Sequence, residues 1–133
     1  MAENLFQLTV ITPERIFYQG QVSMVEFNTT EGQIGVYRSH IPLTTVLAPG
    51  IVIMHEPQET KRAAVHAGFA EILEDQVTIL AEIAEWPEEI DLARARAAED
   101  RARKRLSEHQ SDLDMKRAEL ALKRALTRQD ILA

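Results

Sequence analysis

Hydrophobic and polar positions alternate along the first ninety residues. Phe6, Leu8 and Val10 are separated by Gln7 and Thr9, the period-two pattern of a half-buried strand. Pro13 stops that run. From Val22 to Thr29 a second alternation places Val25 and Phe27 on one side and Glu26 and Asn28 on the outer side. Glu31-Gly32-Gln33, Pro49-Gly50, Glu56-Pro57-Gln58-Glu59 and Glu74-Asp75-Gln76 are turn segments. Between them lie the β-prone runs Ile51–Met54, Lys61–Ala67, Phe69–Leu73 and Val77–Leu80. Eight to ten short strands are expected, closed as a sandwich or a barrel so that edges are covered.

After Pro87 the period becomes helical. Alanine, leucine, arginine, lysine and glutamate dominate, all good helix formers. Asp91 caps a first helix expected to run to about Ser107, and Ser111, three residues before Asp114, caps a second expected to run to about Arg128. His109-Gln110-Ser111 is short enough to close an antiparallel hairpin. Leu92, Ala95, Ala98, Ala102 and Leu106 share one helix face, as do Met115, Ala118, Leu122, Ala125 and Leu126. Both faces are narrow and alanine-rich. Arg94, Arg101 and Arg105 form a stripe whose spacing Arg117, Arg124 and Arg128 repeat. In an antiparallel pair the stripes emerge together, as a solvated surface laced with ion pairs or as a face that binds an anion or an acidic partner. No glycine or proline follows Pro87. The hairpin is therefore either one static element or one able to open into extended helices.

Composition sharpens this division. The chain has 133 residues, 45% of them apolar, and a net charge of −6. All five glycines, five prolines and seven aromatics lie at or before Pro87. Residues 1–90 carry a net −9 and residues 91–133 a net +3, so an acidic body joins a basic tail. The overall acidity argues against general nucleic-acid binding. No apolar run approaches the ~18 residues that span a bilayer, and Met1–Phe6 lacks the basic and apolar regions of a secretory signal. A soluble, cytosolic chain is expected.

Catalytic chemistry finds little support. Without cysteine there is no thiolate nucleophile or zinc-thiolate site. His40, His55, His66 and His109 make no metal-ligand spacing and each reads as a surface or loop residue. Gly32-Gln33-Ile34-Gly35 is not a phosphate loop, no serine sits in a nucleophile elbow, and Glu88-Glu89 point in different directions.

In order and spacing, several segments resemble the epsilon subunit of bacterial F-type ATP synthases over essentially the whole chain. They are Leu8–Pro13 with Phe17-Tyr18, Gly32–Val36 leading to His40–Leu43, Gly68–Ile72 with Val77–Ala81, and Lys116–Ala125. The most specific is Ile90-Asp91-Leu92-Ala93-Arg94-Ala95, an I-D-x-x-R-A signature. One departure is Tyr37-Arg38-Ser39-His40, where the family loop often reads Leu-Pro-Gly-His.

The resemblance implies an α+β chain: a flattened antiparallel β-sandwich over 1–86, a linker over 87–90 and an antiparallel two-helix hairpin over 91–133. It implies no enzyme activity in this chain alone; from the histidine spacing no metal site is expected, and a magnesium requirement for a nucleotide is left open. The sandwich would bind the gamma subunit and sit on the c-subunit ring, through a loop of His40, Ile41, Pro42 and Leu43. The chain would lie peripherally at the cytoplasmic face of the bacterial plasma membrane. The hairpin would extend into the catalytic head of alpha and beta subunits and inhibit ATP hydrolysis, with Lys116, Arg117, Lys123 and Arg124 meeting an acidic loop. In some bacterial members the folded hairpin binds ATP as a regulatory ligand. The matching residues are Glu85, Asp91, Arg94, Arg101, Arg124 and Arg128. A rival reading is a free-standing sandwich adaptor whose helical tail binds a partner and no nucleotide. A small cupin-like enzyme is a remote third.

Overall fold

The structure, a computed structural model, describes residues 4–133; the first three residues of the segment read for targeting lie outside it. Eight strands precede two helices: β1 Phe6–Ile11, β2 Ile16–Val22, β3 Met24–Thr29, β4 Gly32–Tyr37, β5 Leu43–Val46, β6 Gly50–His55, β7 Thr60–Ile72 and β8 Gln76–Glu85. A 3-10 turn, Pro87–Glu89, leads to α1, Leu92–Glu108, and α2, Asp112–Leu132. The hydrogen-bonded order is β2-β1-β8-β7-β6-β3-β4, with β5 added to β7. Every pairing is antiparallel except β1 with β8, which is parallel.

The long strands β7 and β8 make the sandwich. The first half of β7 pairs β6 and its second half pairs β5, while β8 pairs it from Ala64 to Ile72, across both parts. Each strand thus belongs to both layers. The alternation shows where it crosses. In β7 the core residues are Ala63 and Val65 before the crossing and Ala70 and Ile72 after it, an opposite parity. In β8 they are Val77, Ile79 and Ala81, then Ala84. Ala67 (φ 60°) and Gly68 (φ 115°) form the bend. A Cβ on Gly68 would lie 2.0 Å from the Leu80 carbonyl oxygen, so only glycine fits there. The runs read as Lys61–Ala67 and Phe69–Leu73 are therefore one bent strand.

Between the layers lie Phe6, Leu8, Val10, Val22, Val25, Phe27, Val36, Val52, Met54 and Ile72. Val22 departs from the sequence reading, which put it in phase with Glu26. The chain bends at Ser23, so Val22 ends β2 and the alternation restarts at Met24. Trp86 closes one end, stacked on Phe17 at 4.3 Å between ring centroids.

The helices pack through a thin seam. Ala95 and Ala102 of α1 and Ala118 and Ala125 of α2 are fully buried, and Gln129 donates to Glu99 across the pair at 2.8 Å. The αL cap His109 (φ 48°) and the N-cap Ser111 turn the chain. α2 continues a turn past Arg128, because Ile131 is buried. It has a second packing face beside the alanine stripe: Arg124, Thr127, Arg128 and Ile131, at i, i+3, i+4 and i+7, lie on the side turned to the sheet, where α2 meets β6, β7 and the end of β8. No helix among the described residues is long and apolar enough to cross a membrane.

Candidate functional site

Where β8 ends, the turn, α1 and α2 come together around an open cleft of about 220 Å³. β8 contributes Glu85; the turn and linker contribute Glu89, Ile90 and Asp91; α1 contributes Arg94, Ala95, Ala98 and Arg101; α2 contributes Arg128. Five of the six residues carried over for nucleotide binding therefore share one surface. Arg124, a helical turn before Arg128, does not line the cleft; its charge acts on His66 instead. Of the two arginine stripes, only Arg94, Arg101 and Arg128 converge there. Ala95 and Ala98 are its apolar floor.

The acidic side chains are held in distinct ways. Asp91 accepts the Arg94 backbone N–H at 3.2 Å and is the N-cap of α1. Glu89 accepts the Trp86 N–H at 2.9 Å and both of its oxygens take Arg15 Nη2 at 2.9 Å. The Trp86 bond, then the Arg15 contact, holds its carboxyl below the ordinary range. Glu85 Oε1 receives Arg128 Nε at 2.8 Å and His66 Nε2 at 3.1 Å. Burial pushes Glu85 upward, but these bonds and the neighbouring positive charge outweigh it, so its pKa lies below the usual carboxylate value.

Among the described residues neither Arg94 nor Arg101 forms an ion pair, and no hydrogen bond reaches Glu85 Oε2. The cleft thus offers two uncommitted guanidinium forks, Arg94 in the first turn of α1 and Arg101 two turns on, and a free acceptor oxygen on Glu85. A ligand with a multiply charged anionic part and an N–H donor part suits that combination.

His66 corrects the surface reading of the histidines. It is fully buried. So, in part, does His55, whose Nε2 sits 2.7 Å from Glu26 in β6 and β3. In β7 the alternation sends His66 and Ala64 outward from the core, where α2 covers them. A lone histidine in a β run carries no sign of that cover.

The other carried-over residues lie elsewhere. His40 donates Nδ1–H to the Ile41 carbonyl at 2.6 Å. Ile41 is 79% exposed, and Pro42 and Leu43 are also exposed. Ser39 N–H bonds the Glu74 carbonyl at 2.7 Å, tying this loop to the β7–β8 turn. Ser39 takes φ 68° at the position where the family pattern has glycine. Lys116, Arg117 and Lys123 are exposed on α2.

Comparison with known proteins decides the family. Residues 5–87 match the model of the ATP synthase delta/epsilon chain β-sandwich domain, and residues 88–131 match that of its long α-helix domain. The chain belongs to the ATP synthase delta/epsilon family. The ATP synthase epsilon chain of Caldanaerobacter subterraneus subsp. tengcongensis is 47% identical over 97% of this chain and 94% of its own. That of Halalkalibacterium halodurans is 46% identical over 93% and 94%. Among solved structures, a chain of the Euglena gracilis mitochondrial ATP synthase superposes with a TM-score of 0.85 at 25% identity, over 98% of this chain and 82% of that one. A chain of the Tetrahymena thermophila enzyme shares the fold, with a TM-score of 0.67 at 14% identity. As an epsilon chain it is a subunit of the ATP synthase complex, which leaves no place for a free-standing adaptor.

Proposed function

We propose that this epsilon chain is a non-catalytic regulator of the synthase, whose hairpin is held against the sandwich by bound ATP and inhibits ATP hydrolysis when released. The observation that carries the reading is the composition of the cleft. Its walls come from β8, the linker and both helices. It exists only while the hairpin is docked, so a ligand there stabilises the docked form by its differential affinity. Arg94 and Arg101 would fork the phosphate oxygens, Arg128 would add charge, and Glu85 and Asp91 would accept from the base or ribose. Released, α2 would carry Lys116, Arg117, Lys123 and Arg124 to an acidic loop of the catalytic head. The sandwich would bind gamma, with His40, Ile41, Pro42 and Leu43 against the c-ring. The chain would thereby reside peripherally at the cytoplasmic face of the bacterial plasma membrane.

Calorimetric titration of the chain with ATP, with and without magnesium, tests the site. Arg94→Ala is the cleaner variant, because Asp91→Ala also removes the cap of α1. Weaker binding by at least tenfold is expected, the loss of one charge-assisted contact. Unchanged affinity refutes the site. Deleting residues 91–133 should raise ATPase activity of the assembled complex; unchanged activity refutes the inhibitory role.

A further inference from the structure

Glu85 and Arg128 form the single side-chain hydrogen bond between hairpin and sandwich among the described residues. Beneath that bond lies His66, fully buried. Glu85 is an acceptor, so His66 Nε2 carries the proton they share. The opposite ring nitrogen, Nδ1, is the only buried side-chain nitrogen or oxygen without a partner among the described residues. As a bare lone pair it is tolerated there. As an N–H of a charged ring it would be a buried donor with no acceptor.

We propose that His66 is a proton-sensitive latch: the docked hairpin requires the neutral ring, and acidification releases the hairpin. The cover over the ring comes from α2 rather than from the sandwich core. Ala64 and His66 point away from the core cluster, on the face where Thr127 and Arg128 of α2 lie. Lifting α2 therefore opens His66 to water. The charged groups around it are Glu85 from β8 and Arg124 and Arg128 from α2. On the same face β6 presents Ile51 and Ile53, paired with Ala64 and Arg62. Burial foremost, with the two arginine charges, lowers the His66 pKa against the opposing pull of Glu85.

The sign follows from that direction. The docked form holds the lower pKa, so the stabilisation of docking is complete above the free imidazole value of about 6.5 and is lost as pH falls below it. With His66 neutral when docked and ordinary when released, the docking equilibrium weakens by up to about tenfold between pH 7.5 and pH 5.5. Glu85, also depressed when docked, acts in the same direction at lower pH. The device rests on the movable hairpin proposed above but involves no nucleotide.

The chain contains no cysteine, so Gln58→Cys and Glu119→Cys, both exposed, give one spin-label pair from sandwich to α2. Pulsed distance measurements in the absence of nucleotide should show the docked population falling with pH. His66→Gln keeps a donor toward Glu85 and cannot titrate, so its populations should stay constant. A wild-type distribution that does not change, or a His66→Gln chain as pH-sensitive as wild type, overturns the latch. Should the variant not fold, the His66 ring resonances of the unaltered chain decide: a docked ring still neutral at pH 5.5 supports the latch, and one titrating near 6.5 refutes it. Adding ATP at pH 7.5 separates the two readings. A response to pH but not to ATP defeats the nucleotide site alone, and a response to ATP but not to pH defeats the latch alone.

Discussion

Ala118→Leu should open the hairpin while leaving the sandwich intact. The seam holds four buried alanines, Ala95, Ala102, Ala118 and Ala125. At ~0.8 kcal/mol for each buried methyl it supplies roughly 3 kcal/mol. Ala118 is completely enclosed, and leucine there adds three carbons to a filled site. Overpacking of that kind costs about 1–3 kcal/mol, comparable to the seam itself. Helix propensity changes little between alanine and leucine, so the effect falls on packing. The ratio of closed to open hairpin should drop by about 5- to 150-fold. Amide hydrogen exchange is the assay. Protection in α1 and α2 should fall by that factor, with β1, β6 and β7 unchanged. Unaltered exchange in α2 would mean that the seam does not hold the hairpin. Equal loss in the strands would mean that hairpin and sandwich unfold as one unit.

Two further substitutions probe the sandwich. Gly68→Ala forces a Cβ to 2.0 Å from the Leu80 carbonyl oxygen and keeps φ at +115°, so the bend of β7 must shift; a melting temperature within 2 °C of wild type would contradict that geometry. Ser39→Gly relieves a left-handed serine and should stabilise by up to about 1 kcal/mol, the difference between strain relieved and glycine entropy added; a lowered midpoint in urea would show that Ser39 makes a compensating contact.

The strands and helices were legible because their patterns are local. Phe6, Leu8 and Val10 alternate and are all buried. Asp91 and Ser111 cap the helices as their side chains foretell. The alanine seam followed from spacing alone. What escaped depends on contacts between distant parts. The parallel pairing of β1 with β8 leaves no mark in either strand. Gly68 could have revealed the crossing of β7, since it stands where the alternation reverses. His66 needed knowledge of α2, and the second face of α2 needed knowledge of the sheet. Of the cleft, the I-D-x-x-R-A residues were visible as a motif and Arg128 as the end of a stripe. The Glu85–Arg128 bond joining them spans 43 residues, beyond the reach of any period.

The shared strands β7 and β8 have a mechanical consequence. Two sheets joined only by loops can slide or gape, because nothing but side-chain packing resists. Here two continuous backbones run through both layers, and each must break hydrogen bonds on both sides before the layers part. The sandwich is a stiff block, while the hairpin beside it is held by one face of α2, where Thr127 and Ile131 are buried, and by the Glu85–Arg128 ion pair. The hairpin joins that block through the short segment Pro87–Asp91. If the hairpin moves as proposed above, the rotation falls on that segment and the block keeps its shape.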